Sequence, residues 1–121
     1  MSKSDETRIG LLQGTLDLMI LRTLVFGASH GHAIAKRIRA TSDEVLQVET
    51  GSLYPALHRL EAKGWIEAEW RHSDKGKRAK YYSLTGEGRE RLVAEQSKWE
   101  ELSTAIAKVL QPLPGEEEAA G

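Results

Sequence analysis

The sequence predicts a mainly α fold with a small β-hairpin (α+β): three helices, the hairpin, then one long C-terminal helix. Three observations predict it. Apolar residues recur at helical spacing before residue 64, alternate with polar ones between 65 and 84, and return seven residues apart after 85. A chain of 121 residues is enough for one domain with a single core.

Thr15 to Val25 carries Leu16, Leu18, Met19, Ile20, Leu21, Leu24 and Val25. A segment apolar nearly all round predicts a helix buried on most sides, ending near Gly27. Ser29 is the expected cap of a second helix, with Ile34 and Ile38 inward and Lys36, Arg37 and Arg39 facing water. A polar connection over Thr41 to Glu49 follows.

The third helix is expected from about Thr50 to Lys63, stopped by Gly64. Leu53, Leu57 and Leu60 form its inward stripe; Gly51, Pro55, His58 and Ala62 oppose it, flanked by Ser52 and Arg59. Pro55 is expected to be tolerated as close to the helix start, where few amides have intrahelical partners.

Ile66, Ala68 and Trp70 then alternate with Glu67, Glu69 and Arg71, which is strand periodicity. His72 to Arg78, with Gly76 inside, has the composition of a hairpin loop, and Ala79 to Leu84 returns as the second strand. Three helices followed by a hairpin with a basic tip is the order of a winged helix-turn-helix. Thr85 can cap the last helix, with Glu87 at its positive end. Leu92, Trp99 and Ile106 lie seven apart, as do Leu102 and Val109, a seam too short for an independent coiled coil but sufficient to pack on a second subunit. The expected organisation is a winged helix-turn-helix domain over 10–84, a dimerisation helix over 85–111, and flexible tails at 1–9 and 112–121.

The formal net charge of −1 hides a local asymmetry. Residues 1–84 hold 13 Lys/Arg against 10 Asp/Glu, whereas 85–121 hold 4 against 8. Within 71–80 stand Arg71, Lys75, Lys77, Arg78 and Lys80 with one acid, Asp74. A local positive field of this kind steers a protein to phosphates. Cysteine is absent, which excludes disulfides, thiolate catalysis and cysteine zinc sites. With no apolar run of membrane-spanning length and no signal-type start, the expected location is the cytoplasm, with no membrane partner.

Four stretches carry a resemblance. They are Leu12-Gln13-Gly14-Thr15-Leu16-Asp17-Leu18 with Leu21; His30-Gly31; Gly51-Ser52-Leu53-Tyr54-Pro55-Ala56-Leu57-His58-Arg59-Leu60-Glu61 with Gly64-Trp65-Ile66; and Arg78-Ala79-Lys80-Tyr81-Tyr82-Ser83-Leu84-Thr85 with Gly88. In these the chain resembles the PadR family of bacterial transcriptional regulators over roughly residues 10–110, of the type with a single C-terminal helix. It departs at position 32, often tyrosine in such sequences and here His32, and at a wing tip reading Lys77-Arg78-Ala79-Lys80 rather than consecutive arginines. The resemblance implies DNA binding as a homodimer, repression of nearby genes and, often, release by a small molecule. It also implies that the third helix enters the major groove while the wing lies along the backbone or minor groove.

On that basis Thr50, Ser52, Tyr54, Pro55, His58 and Arg59 are the candidate recognition surface. Hydroxyls and amides at a helix start bond phosphates, and Arg59 has the reach for a phosphate or a guanine edge. Tyr54 stands at the edge of the core, with packing on the hairpin as the alternative to touching DNA. Lys75, Lys77, Arg78 and Lys80 are the candidate phosphate contacts of the wing, with Lys36 and Arg37 as further backbone contacts. Leu92, Trp99, Leu102, Ile106 and Val109 are the candidate dimer interface. Trp99 is either a large anchor of that interface or a contact for a small aromatic effector.

Catalytic signals are poor. His30-x-His32 lacks a third metal ligand at a matching spacing, and Gly86-Glu87-Gly88 has no strand–helix context for a nucleotide. No enzyme, metal or cofactor is expected. The competing function is a winged helix used as a protein-interaction scaffold, which predicts an apolar exposed third helix and no basic wing; Ser52, His58, Arg59 and the cationic tip favour DNA.

Overall fold

The computed structural model describes residues 14–72 and 74–115. The tail expected at 1–9, residues 116–121 of the second tail, and Leu12-Gln13 lie outside the described residues; 111–115 are non-helical and exposed. Helix α1 covers 14–23 and tightens into a single 3-10 turn, Leu24–Phe26. It is followed by strand β1 (Ser29–His30), helices α2 (Gly31–Thr41) and α3 (Thr50–Ala62), strands β2 (Ile66–His72) and β3 (Arg78–Leu84), and helix α4 (Gly86–Val109). This is a winged helix-turn-helix with a long last helix.

Leu16, Ile20, Leu21 and Leu24 bury α1 against Ile34 and Ile38 of α2 and Leu53, Ala56, Leu57 and Leu60 of α3. Ile66, Tyr82 and Leu92 close the same core from β2, β3 and α4. Gly27, at φ 130°, turns the chain out of the 3-10 segment, a conformation that disfavours any side chain.

Two local expectations are corrected. Ser29 does not cap α2: it pairs with Tyr82, and His30 with Tyr81, so the hairpin gains a third strand in the order β1-β3-β2. The cap is His30, whose Nδ1 accepts the Ala33 amide at 3.2 Å. The hairpin loop is also shorter than expected, because His72 and Arg78 are paired strand residues.

Helix α3 ends where Gly64 directs, at φ 77°. The Gly64 amide donates to the Glu61 carbonyl and the Trp65 amide to that of Leu60, the paired bonds of a glycine-terminated helix. Pro55 is the sixth residue of α3, in its second turn rather than its first. Its missing N–H leaves the Gly51 carbonyl without a helical donor, but Gly51 is exposed, so water can satisfy it.

Helix α4 begins inside the core rather than beyond it. Thr85 Oγ1 accepts the Gly88 amide at 3.0 Å, while the Thr85 amide donates to the Trp65 carbonyl at 3.1 Å. Gly88 is pressed against that carbonyl so closely that a Cβ there would run into it and into Leu84. Gly88→Ala is therefore expected to destabilise by about 1–3 kcal/mol, the usual cost of overpacking against unyielding backbone. Gly86→Ala, with nothing within 4 Å, is expected to be neutral or slightly stabilising. Urea denaturation of the two variants checks the contrast.

Candidate nucleic-acid interface

With Leu53, Ala56, Leu57 and Leu60 sealed inside, α3 turns Thr50, Gly51, Ser52, Tyr54, Pro55 and His58 to solvent. No acidic residue lies in its first turn, and Glu49 at the cap position makes no side-chain cap bond, so its side chain leaves the first amides of the helix uncapped. Tyr54 packs over the start of α2, where a Cβ on Gly31 would meet its ring and hydroxyl at 3.0 Å. Gly31 thus makes room for Tyr54, which is held by α2 and remains 41% exposed.

Arg59 is placed differently from its neighbours. Its Nη2 donates to Asp17 Oδ1 of α1 at 2.9 Å, with the two side chains 31% and 16% exposed. Burial pushes the Asp17 carboxyl above its usual value, and the hydrogen bond and charge of Arg59 only partly offset this. The guanidinium that sequence reasoning aimed at a phosphate or guanine thus ties α3 to α1.

The wing's cations divide by strand register. Trp70 pairs with Lys80 and His72 with Arg78, so all four side chains continue the hairpin face that carries Ile66 and Tyr82 into the core. Lys80 Nζ reaches Glu61 Oε1 of α3 at 3.2 Å, which fixes the inner end of that face to α3. The Arg78 guanidinium lies 4.6 Å from the Trp70 ring centre. On the other face Arg71 bonds Glu69 at 3.2 Å and covers Tyr81. Lys75 and Lys77 are exposed on the connection between the strands.

Lys36 is exposed on α2, but Arg37 turns toward α1, 5.1 Å from the Phe26 ring centre. Arg22 covers the same ring at 5.5 Å. Both arginines line an open groove of about 540 Å³ with Leu18, Met19, Leu46 and Trp99. No α3 residue lines it.

The expected dimer seam is only partly at the surface. Leu92 is 6% exposed within the single chain and packs in its core, which removes it from the candidate interface. Trp99, Leu102, Ile106 and Val109 are exposed at 44%, 46%, 46% and 82%. His30 and His32 stack with ring centres 6.3 Å apart, and no group of three metal-type ligands occurs among the described residues. Sequence reasoning missed the partners Asp17 and Glu61. Asp17 carried a usable signal, the lone acid of a mostly apolar helix, which has to find a cation when buried.

Removing Arg59 leaves the largely buried Asp17 carboxylate without compensation, so Arg59→Ala is expected to cost about 1–3 kcal/mol at pH 7. The sign with pH follows from the raised pKa. The folded state takes up the Asp17 proton at a higher pH than the unfolded chain, so this site favours folding in acid and loses that contribution as pH rises through the folded value. The cost of Arg59→Ala should therefore shrink on acidification, which urea titrations at pH 7 and near pH 4 will read.

Against this geometry stand the similarities to known proteins. Residues 20–94 match the transcriptional regulator PadR-like family. A transcriptional regulator of Mycobacterium tuberculosis is 40% identical over 60 residues, covering 50% of this chain and 55% of its own length. A solved transcriptional regulator from Clostridium thermocellum is 32% identical, with a TM-score of 0.76, covering 84% of this chain and 99% of that one. A PadR family transcription regulator from Clostridium difficile is 30% identical, with a TM-score of 0.69 and coverage of 79% and 98%. An exposed α3, a cationic wing and a matching family signature across both lead to one conclusion: the chain belongs to the PadR-like family of transcriptional regulators and is a DNA-binding regulator.

Proposed function

We propose that the protein is a repressor that binds a pseudo-palindromic operator sequence-specifically as a homodimer. The observation that carries the reading is the chemistry of the exposed α3 face: hydroxyls, an imidazole, Tyr54 and Pro55, with no fully exposed carboxylate or large aliphatic side chain. Such a face suits phosphate oxygens and base edges and gives a protein partner little apolar area. Thr50 and Ser52 hold phosphate at the helix start, His58 faces the groove, and Lys75, Lys77 and Arg78 neutralise backbone charge. Arg59 acts mainly as the tie between α3 and α1.

Residues 10–84 form the reading part and 85–111, which contain α4, the pairing part, with the first two turns of α4 shared between them through Gly88 and Leu92. The outer stripe Trp99, Leu102, Ile106 and Val109 supports pairing with a second copy, because four large apolar side chains on one helix otherwise face water. Two α3 helices would then read half-sites about one DNA turn apart. Repression follows from occupancy of the operator. Trp99, beside the groove between α1, α2 and α4, is the candidate contact for release by a small aromatic effector.

The first test is selection of duplexes from a random library, followed by gel shifts at two salt concentrations. Tight, selective binding is expected, and each lost wing contact, as in Lys75→Ala, should reduce the slope of log affinity against log salt by about 0.9. The second test is the full chain with Leu102→Glu and Ile106→Glu. It should sediment as a folded monomer and bind the selected duplex at least about tenfold more weakly, since half the contacts of the site are lost. A monomeric variant that still binds tightly would overturn the dimer reading.

A further inference from the structure

We infer that Trp70 is a DNA-contacting residue, and that the wing engages the duplex through an aromatic–cationic plate, Trp70 with Arg78, rather than through charge alone. The inference rests on the DNA-binding reading above and extends it to a residue that the alternation of β2 groups with Ile66 and Ala68. Trp70 does occupy the core-facing side of the hairpin, but β2 has by then run past the core. Trp70 is 55% exposed, whereas Ile66 on the same face is buried. A large apolar ring held in water costs free energy unless something covers it.

The surroundings identify the cover. Lys80 is cross-strand from Trp70, and Arg78, its diagonal neighbour, lies 4.6 Å from the ring centre. His72 extends the same face, and the Lys80–Glu61 bridge fixes that face toward α3. Residues 71–80 carry five Lys/Arg against one acid; with Arg71 and Lys80 bonded to Glu69 and Glu61, the excess lies in Lys75, Lys77 and Arg78 at the outer end of the wing, and a polyanion is the complementary partner. Duplex DNA offers both halves of what the plate needs: phosphates for the guanidinium and the apolar faces of deoxyriboses for the indole. The stack also limits the freedom of the Arg78 side chain, so less entropy is lost when it meets phosphate.

The test uses the full chain and a mixed-sequence duplex a few helical turns long, at low salt. The indole N–H resonances of Trp65, Trp70 and Trp99 are assigned from single variants. Broadening of the Trp70 resonance by a soluble paramagnetic agent, strong in the unbound protein, should be relieved when the duplex saturates it. Trp70→Ala should weaken binding about five- to tenfold with an unchanged salt slope, because the lost contact carries no charge, while Trp70→Phe should keep most of the affinity. Arg78→Ala, by contrast, should reduce the slope by about 0.9.

Two results overturn the inference while leaving DNA binding intact. One is a saturated complex in which Trp70 remains as accessible as before. The other is a Trp70→Ala variant, folded by its amide spectrum, whose affinity is unchanged or whose salt slope falls as in Arg78→Ala; the latter makes Trp70 only a support for Arg78. Failure of the wild-type chain to bind the duplex at low salt overturns both the inference and the reading beneath it.

Discussion

The function of this molecule depends on one constraint: α3 must be sealed along Leu53, Ala56, Leu57 and Leu60. Those side chains fix the helix about its own axis, and the orientation of its polar face follows as a consequence. Burial of leucines at this density contributes about 1.5–3 kcal/mol per side chain, more than any hydrogen bond on the exposed side can. The polar face can therefore be selected for what it touches rather than for what it stabilises. The Arg59–Asp17 and Lys80–Glu61 pairs then hold the same helix from two sides, to α1 and to the wing.

Helix α4 performs two tasks along its length. Its first turns belong to the core, with Thr85 as cap, Gly88 against the Trp65 carbonyl and Leu92 among the buried residues. Arg91, near this junction, lies 4.8 Å from the Trp65 ring centre and bonds Glu95 at 3.1 Å. Beyond it the apolar side chains emerge into solvent. A second copy packed on that outer half would be rigidly connected to α3, because no flexible linker separates the two. Met19 and Leu46 line both the groove beside Trp99 and a second cavity at the start of α3. Whatever occupies the first groove is therefore separated from α3 by these side chains.

The sequence made the helices, the hairpin and the inward stripe of α3 legible because each has a periodicity that burial enforces. The end of α3 was legible from Gly64 and the start of α4 from Thr85, where backbone chemistry admits few residues. What escaped were features set by long-range approach. A two-residue strand at Ser29–His30 has no period to read and exists because β3 lies beside it. Asp43 and Glu44, at φ 53° and 68°, turn the chain after α2 with no glycine to mark the place. Leu92 fitted a seven-residue seam equally well as core or as interface, and only the position of α4 decides between them. The exposed face of α3 was legible as a surface, but the partner of Arg59 was 42 residues away.

Hydrogen exchange of the full chain with and without a selected duplex tests the central claim most directly. The account requires slowed exchange at 50–55 of α3 and at the amides flanking the wing, with the outer half of α4 protected equally in both states by pairing. Protection confined to α4, with the start of α3 exchanging as before, would contradict it.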